Sequence, residues 1–213
     1  MSAPAITTVF IVDDDAAVRD SLALLLGLRG FATRCYASGE AFLGAIDARA
    51  RGCVLLDYRM PDMDGLAVQS ALGAAGIALP IVFLTAHGDV ATVRAALKGG
   101  AFDFIEKPVD DAALVATIEA AFTRDTEGHA RIERRTALEE RLARLTARER
   151  GVLDLIVQGR HNREVAAQLG ISPRTVEVHK ARIMDKLQVE RLPELIRLAL
   201  EFGLLGDASG RSP

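Results

Sequence analysis

The chain has 213 residues, half of them hydrophobic and 26% charged, a balance that supports a buried core and excludes intrinsic disorder. No apolar run is long enough to cross a bilayer, and the start "MSAPAITTVF" has no basic segment followed by an apolar core; a cytoplasmic protein with no membrane partner is expected. The net charge of −3 conceals an asymmetry, 16 acids against 10 bases in residues 1–125 and 13 acids against 16 bases in residues 126–213, which suggests two domains with different partners.

Five short strands are predicted in the first half, at Val9–Val12, Ala32–Tyr36, Cys53–Leu56, Ile81–Leu84 and Phe102–Ile105. Four of them are nearly continuous apolar runs, as expected of strands covered on both faces by helices. Helical stretches lie between them, such as Ala16–Leu28 with Val18, Leu22, Leu25 and Leu26 on one side, and Gly30 and Gly99 read as helix-ending glycines. Repeated β-α units imply a parallel sheet wound on both faces. The two cysteines, Cys35 and Cys53, have neither metal nor redox spacing and read as buried thiols.

The apolar stretch of "FIVDDDAAVRD" runs straight into Asp13, Asp14 and Asp15, and neighbouring carboxylates repel unless a cation or solvent receives them. In a parallel sheet of order 2-1-3-4-5 the ligand crevice lies beyond the carboxyl ends of strands 1 and 3. Strand 3, in "CVLLDYRMPDMDG", ends at Asp57, so acids far apart in sequence converge there. A hard divalent cation relieves such a cluster, and Mg2+ suits a site of few carboxylates that keeps several waters. Strands 4 and 5 end at the same edge with Thr85 and Lys107, a hydroxyl and an ammonium suited to the spread negative charge of a phosphoryl group.

From Thr123 to Leu145 the chain is highly charged, with Leu138, Leu142 and Leu145 at helical spacing and Glu139 and Glu140 ahead of Arg141 and Arg144. This is either a solvated linker helix or a short dimerising coiled coil, and its continuity with the helix before it is open. Beyond it, Thr146–Gly203 reads as four helices. Asn162 is a plausible N-cap and Gly170 a stop for one, and Ser172 caps the next with Pro173 at its first turn, the spacing of a helix-turn-helix. On helix Pro173–Leu187, Val176, His179, Ile183 and Leu187 share an inward face. Arg174, Val178, Ala181, Arg182 and Asp185 lie opposite. Two apolar residues among bases suit insertion into a DNA major groove.

The set "VDDD", "LLDYRMPDMDG", "LTAHGDV" and "FIEKP" resembles the receiver domain of two-component response regulators of the FixJ/NarL type, over about residues 6–122. "LTARE" followed by "NREVAAQLGISPRTVEVHKARIMDKL" resembles the LuxR-type four-helix DNA-binding domain, over about residues 143–205. The resemblance implies a flavodoxin-like α/β receiver domain with a five-stranded parallel sheet over residues 1–122, a charged helical linker over 123–142, a small all-α helix-turn-helix domain over 143–205 and a disordered tail over 206–213. It implies that Asp57 takes a phosphoryl group from a sensor histidine kinase. Mg2+ would be held by Asp14, Asp57 and the backbone carbonyl of Arg59, with Asp13 binding directly or through water. Lys107 would pair with phosphoryl oxygens, behind a cis Lys107–Pro108 bond. Thr85 and Phe104 would form a switch that biases the surface of Val90–Lys98 and Phe102–Glu106 towards a homodimer. His87 and Arg59 sit where the family tunes dephosphorylation, and Glu149 matches a glutamate expected in an internal ion pair.

Thr175, Glu177, Val178, Lys180, Ala181 and Arg182 are, by the same resemblance, candidates for contact with double-stranded promoter DNA, as is Arg174. Glu177 either accepts from a cytosine amine or only solvates its helix, and His179 belongs to the packed face. The expected function is a transcription regulator, activating rather than repressing, with RNA polymerase as a candidate further partner. Enzymatic chemistry is confined to slow gain and loss of the phosphoryl group at Asp57. The alternatives are a DNA-binding regulator independent of phosphorylation, and an aspartyl-phosphate phosphotransferase acting on an external substrate.

Overall fold

The computed structural model describes residues 7–86 and 90–201; His87 lies outside them, as does the tail expected over residues 206–213. The chain divides into two compact units, residues 1–130 and 131–213. In chain order the elements of the first are β1 (Thr8–Val12), α1 (Ala16–Leu28), β2 (Ala32–Tyr36), α2 (Gly39–Ala45), β3 (Gly52–Asp57), α3 (Gly65–Ala74), β4 (Ile81–Thr85), α4 (Val90–Lys98) and β5 (Asp103–Glu106). Helix α5 follows as one span, Asp111–Ala143, so the charged segment continues the preceding helix.

The five strands form one parallel sheet in the order β2-β1-β3-β4-β5, as expected. Alternation along each strand sends side chains to two cores. Phe10, Val12, Val54, Leu56, Ile81 and Phe83 pack on one side with Val68 and Leu72 of α3 and Ala96 of α4. Val9, Ile11, Cys53, Leu55, Val82 and Leu84 pack on the other with Leu22 and Leu26 of α1 and Leu114, Ile118 and Ala121 of α5. Strand β3 is buried along its whole length, whereas the edge strand β2 is largely exposed. Cys35 lies on that edge and is exposed, which corrects the expectation of two buried thiols; Cys53 is buried, and desolvation pushes its thiol up to about 12.

Helix α1 ends with Gly30 at φ +86°. For α4 the left-handed residue is Gly100, at φ +91°, and not Gly99. Gly99 is small for a different reason: a Cβ there would stand 2.5 Å from Oε1 of Gln69, whose amide donates to the Ala96 carbonyl.

The second unit contains α6 (Ala147–Val157), α7 (Asn162–Leu169), α8 (Pro173–Leu187) and α9 (Leu192–Glu201). Its core joins Val152, Leu153, Val165, Val176, Ile183, Leu187 and Leu195 to Leu138 and Leu145, with Leu142 packed against it. The leucine stripe is therefore spent on this unit's own core, and neither a wholly solvated helix nor a free dimer seam describes it. Among the charges beside it, Arg135 and Glu139 form an ion pair at 2.9 Å on the exposed face.

Helix α7 is capped one residue earlier than expected. His161 is the N-cap, and Glu164 reaches back to its backbone N–H at 2.7 Å, leaving Asn162 as the first helical residue. Gly170 closes α7 in the left-handed conformation, and Ser172 caps α8 by accepting from the Thr175 N–H at 3.1 Å with Pro173 next in line, both as expected.

Candidate functional site

At the carboxyl edge of the sheet, the ends of β1, β3 and β5 bring Asp13, Asp57 and Lys107 together. The Lys107 ammonium donates to Asp13 Oδ2 at 2.8 Å and to Asp57 Oδ1 at 2.7 Å, bridging positions 94 and 50 residues apart in sequence. Both carboxylates are buried. Asp13 Oδ1 also accepts from the Asp15 N–H, and Asp57 Oδ2 from the Arg59 N–H, each at 2.9 Å. Burial pushes the Asp57 carboxyl above the usual aspartate range; Lys107 and the Arg59 N–H pull against it and the Asp13 charge adds to it. Burial alone would lower the Lys107 ammonium, but its bonds to Asp13 and Asp57 outweigh this and hold it above the ordinary lysine value.

Thr85, at the end of β4, is buried, and its backbone carbonyl accepts from the Lys107 N–H at 2.6 Å. The next bond, Lys107–Pro108, is cis as the resemblance implied. Phe104 on β5 is half-buried with its ring 6.3 Å from that of Phe83, which in turn lies 6.1 Å from Tyr58 beside the acid. Asp14 is exposed at the rim. Asp15 caps α1, accepting from the N–H of Ala17 at 2.8 Å and of Val18 at 3.4 Å, so the three consecutive acids hold three different positions.

Among the described residues no three His, Cys, Asp or Glu side chains form a ready metal cluster. The donors fit a hard cation that keeps most of its waters: two buried carboxylates already share one positive charge, and Asp14 stands exposed nearby.

Two supports of this cleft were not read from sequence. Arg19 donates to the carbonyls of Asp13 and Asp14 at 2.7 and 3.0 Å, fixing the loop after β1. Gly65 passes so close to the acid that a Cβ would lie 2.8 Å from the Asp57 carbonyl oxygen and 2.6 Å from the Phe83 ring. The glycine of "PDMDG" was the visible signal for the second; Arg19, merely one basic residue on a helix, offered none.

In the second unit, Val176, Ile183 and Leu187 of α8 are buried and His179 is half-buried. Arg174, Glu177, Val178, Ala181 and Arg182 are exposed, Val178 by 46%. Thr175 is drawn into the cap, its hydroxyl 2.8 Å from that of Ser172. Lys180 is only 18% exposed and turns towards α7. Glu149 is buried and pairs with Lys186 at 2.6 Å, matching the internal ion pair expected of it. It also completes a capping box with Thr146, legible in sequence as "TARE".

A profile of the response regulator receiver domain matches residues 9–119, and one of bacterial regulatory proteins of the luxR family matches residues 143–199. The transcriptional regulatory protein FixJ of Azorhizobium caulinodans is 44% identical over 196 residues, covering 92% of this chain and 93% of its own. The tetrathionate response regulatory protein TtrR of Salmonella typhimurium is 42% identical over 190 residues, 89% of this chain and 90% of its own. Among solved structures, the response regulator StyR is 40% identical, with a TM-score of 0.80 over 92% of this chain and all of its own. Full-length FixJ from B. japonicum is 38% identical, with a TM-score of 0.58 over 95% of this chain and all of its own.

Proposed function

Because the chain belongs to the response regulator family that joins a receiver domain to a luxR-type DNA-binding domain, we propose that phosphorylation of Asp57 switches its binding to promoter DNA. Regulation of transcription within a two-component system follows from that membership. The observation that carries the finer reading is the Lys107 ammonium set between Asp57 and Asp13 in a buried cleft.

The Asp57 carboxylate attacks the phosphorus of a phosphohistidine on a sensor kinase. A P–O bond forms, the P–N bond breaks, and the imidazole leaves with the electron pair. Burial favours the neutral acid at Asp57, and the Lys107 ammonium 2.7 Å away works against this by stabilising the nucleophilic carboxylate. Asp14, Asp57 and the Arg59 carbonyl would hold Mg2+, with Asp13 binding directly or through water, and the ion would supply positive charge to the phosphoryl oxygens. Lys107 keeps its charge and pairs with the same oxygens once Asp57 has become the acyl phosphate. The Thr85 hydroxyl hydrogen-bonds one of them, and Phe104 follows by packing alone, having no hydroxyl. The surface of α4 and β5 is thereby biased towards a homodimer. Two copies of α8 then address two half-sites in promoter DNA, with activation of transcription as the expected outcome and RNA polymerase as a candidate further partner.

The test is incubation of the full chain with Mg2+ and acetyl phosphate. One labelled site is expected, lost in Asp57→Asn, with stronger self-association and tighter DNA binding. Multiple turnover on phosphate esters would point to a phosphotransferase. Full labelling with unchanged DNA affinity would overturn the switch.

A further inference from the structure

The first residue of α7, Asn162, reaches two residues of α8. Its Nδ2 amide donates to Glu177 Oε1, and its Oδ1 accepts from Lys180 Nζ at 3.4 Å. Lys180 Nζ also stands 3.8 Å from Glu177 Oε1, so one amide ties together an acid and a base on successive turns of the exposed helix. An amide donates and accepts at once, which is what a carboxylate and an ammonium side by side require. An aspartate at 162 would repel Glu177, and an apolar residue would hold neither neighbour.

We propose that Asn162 is a positioning residue for base recognition, holding the Glu177 carboxylate in place to accept a hydrogen bond from a base. The inference rests on α8 being the helix that enters the major groove. Glu177 is 59% exposed and adjoins Val178, itself exposed by 46%, so the tethered carboxylate borders the apolar patch that would meet the bases. A glutamate fixed beforehand loses less rotamer freedom on binding, and a carboxylate accepts from the cytosine amine. Lys180, spent on Asn162 and Glu177 and largely covered, is part of the same support and not a free phosphate contact; Arg174 and Arg182, both exposed, are left for the phosphates.

The experiment is selection of binding sites by the full-length, acetyl-phosphate-treated protein from a randomised duplex library, followed by affinity against salt on the selected sites. Asn162→Ala is expected to lose selectivity at one base pair in each half-site, on the order of fivefold. Its thermal unfolding midpoint and its affinity for unrelated duplex should stay unchanged. Lys180→Ala should leave the salt slope intact, whereas Arg174→Ala and Arg182→Ala should each make it shallower. The Asn162→Ala, Glu177→Ala double variant should match Glu177→Ala alone, as expected for residues acting through one contact. An unaltered base profile in Asn162→Ala overturns the proposal. So does an equal loss on all sequences, which would make Asn162 an uncharged backbone contact that carries no base information. If Arg174→Ala and Arg182→Ala leave binding and its salt slope untouched, the underlying reading of α8 fails as well. If those two behave as expected but Glu177→Ala keeps the full profile, only the positioning role falls.

Discussion

At the scale of single residues, the acidic cleft is defined by where one positive charge goes. Lys107 sits 2.8 Å from Asp13 and 2.7 Å from Asp57, and without it two buried carboxylates would face each other across the crevice. The loop beyond Asp57 must then pass without crowding the acid, and Gly65 allows this. A methyl group at Gly65 would meet the Asp57 carbonyl oxygen at 2.8 Å and the Phe83 ring at 2.6 Å. Backbone cannot yield as a side-chain tip can, and Phe83 is fully buried. Gly65→Ala should therefore destabilise the first unit by about 1–3 kcal/mol, the range for overpacked cores. Hydrogen exchange should show loss of protection along β3 relative to the wild type. Labelling of Asp57 by acetyl phosphate should slow in the same variant, because its carbonyl and its carboxylate belong to one displaced residue.

At the scale of elements, the legible features were those set by neighbours in sequence. Continuous apolar runs marked β1, β3, β4 and β5, and Ser172 with Pro173 marked the start of α8. The three aspartates and the acid ending β3 announced a cleft, because in a parallel sheet of order 2-1-3-4-5 the crevice lies beyond the ends of the strands that carry them. What sequence did not disclose were partners chosen by tertiary distance. Asp125 of α5, buried, accepts from Arg51 at 2.9 Å across 74 positions, and nothing local to either residue names the other. Cys35 was misplaced because its residue type favours burial, whereas its strand, β2, is the edge of the 2-1-3-4-5 order and leaves the thiol exposed. Helix α6 shows both cases at once: its capping box is written in "TARE", but Lys186, the partner of Glu149, lies on another helix. The hydrogen bond from Lys186, then those from the Thr146 backbone and hydroxyl, lower the Glu149 carboxyl from 4.5 to about 2. A carboxyl lowered on folding contributes stability that is complete above its ordinary value and is lost as pH falls through the folded one. The second unit should accordingly lose stability between pH 4.5 and about pH 2. Glu149→Gln should cost about 2 kcal/mol at neutral pH, typical of a buried hydrogen bond to a charged group. The gap between variant and wild type, followed by circular dichroism melts, should close over that acid window.

At the scale of the whole molecule, α5 is the element that spans the boundary between the two units. Leu114, Ile118 and Ala121 belong to the core beneath the sheet, and Leu138, on the same helix, belongs to the core of the second unit. The stretch between these anchors is charged and mostly exposed, with Asp125, buried and bonded to Arg51, as the exception. Gly128 lies within it, exposed, with nothing within 4 Å of where a Cβ would stand. A glycine there weakens the helix by up to about 1 kcal/mol relative to alanine, and a proline by about 3 kcal/mol or more through the lost hydrogen bond and the clash with the preceding turn. Gly128→Pro should leave both cores folded, since none of their buried side chains is altered. Asp57 should still be labelled at the wild-type rate, and unphosphorylated protein should keep its basal DNA affinity. The gain in affinity on phosphorylation should shrink, while Gly128→Ala should retain it. If Gly128→Pro keeps the full gain, the switch acts through dimerisation of the first unit alone and needs no continuous helix; measuring both variants by DNA titration, with and without acetyl phosphate, decides between the two routes.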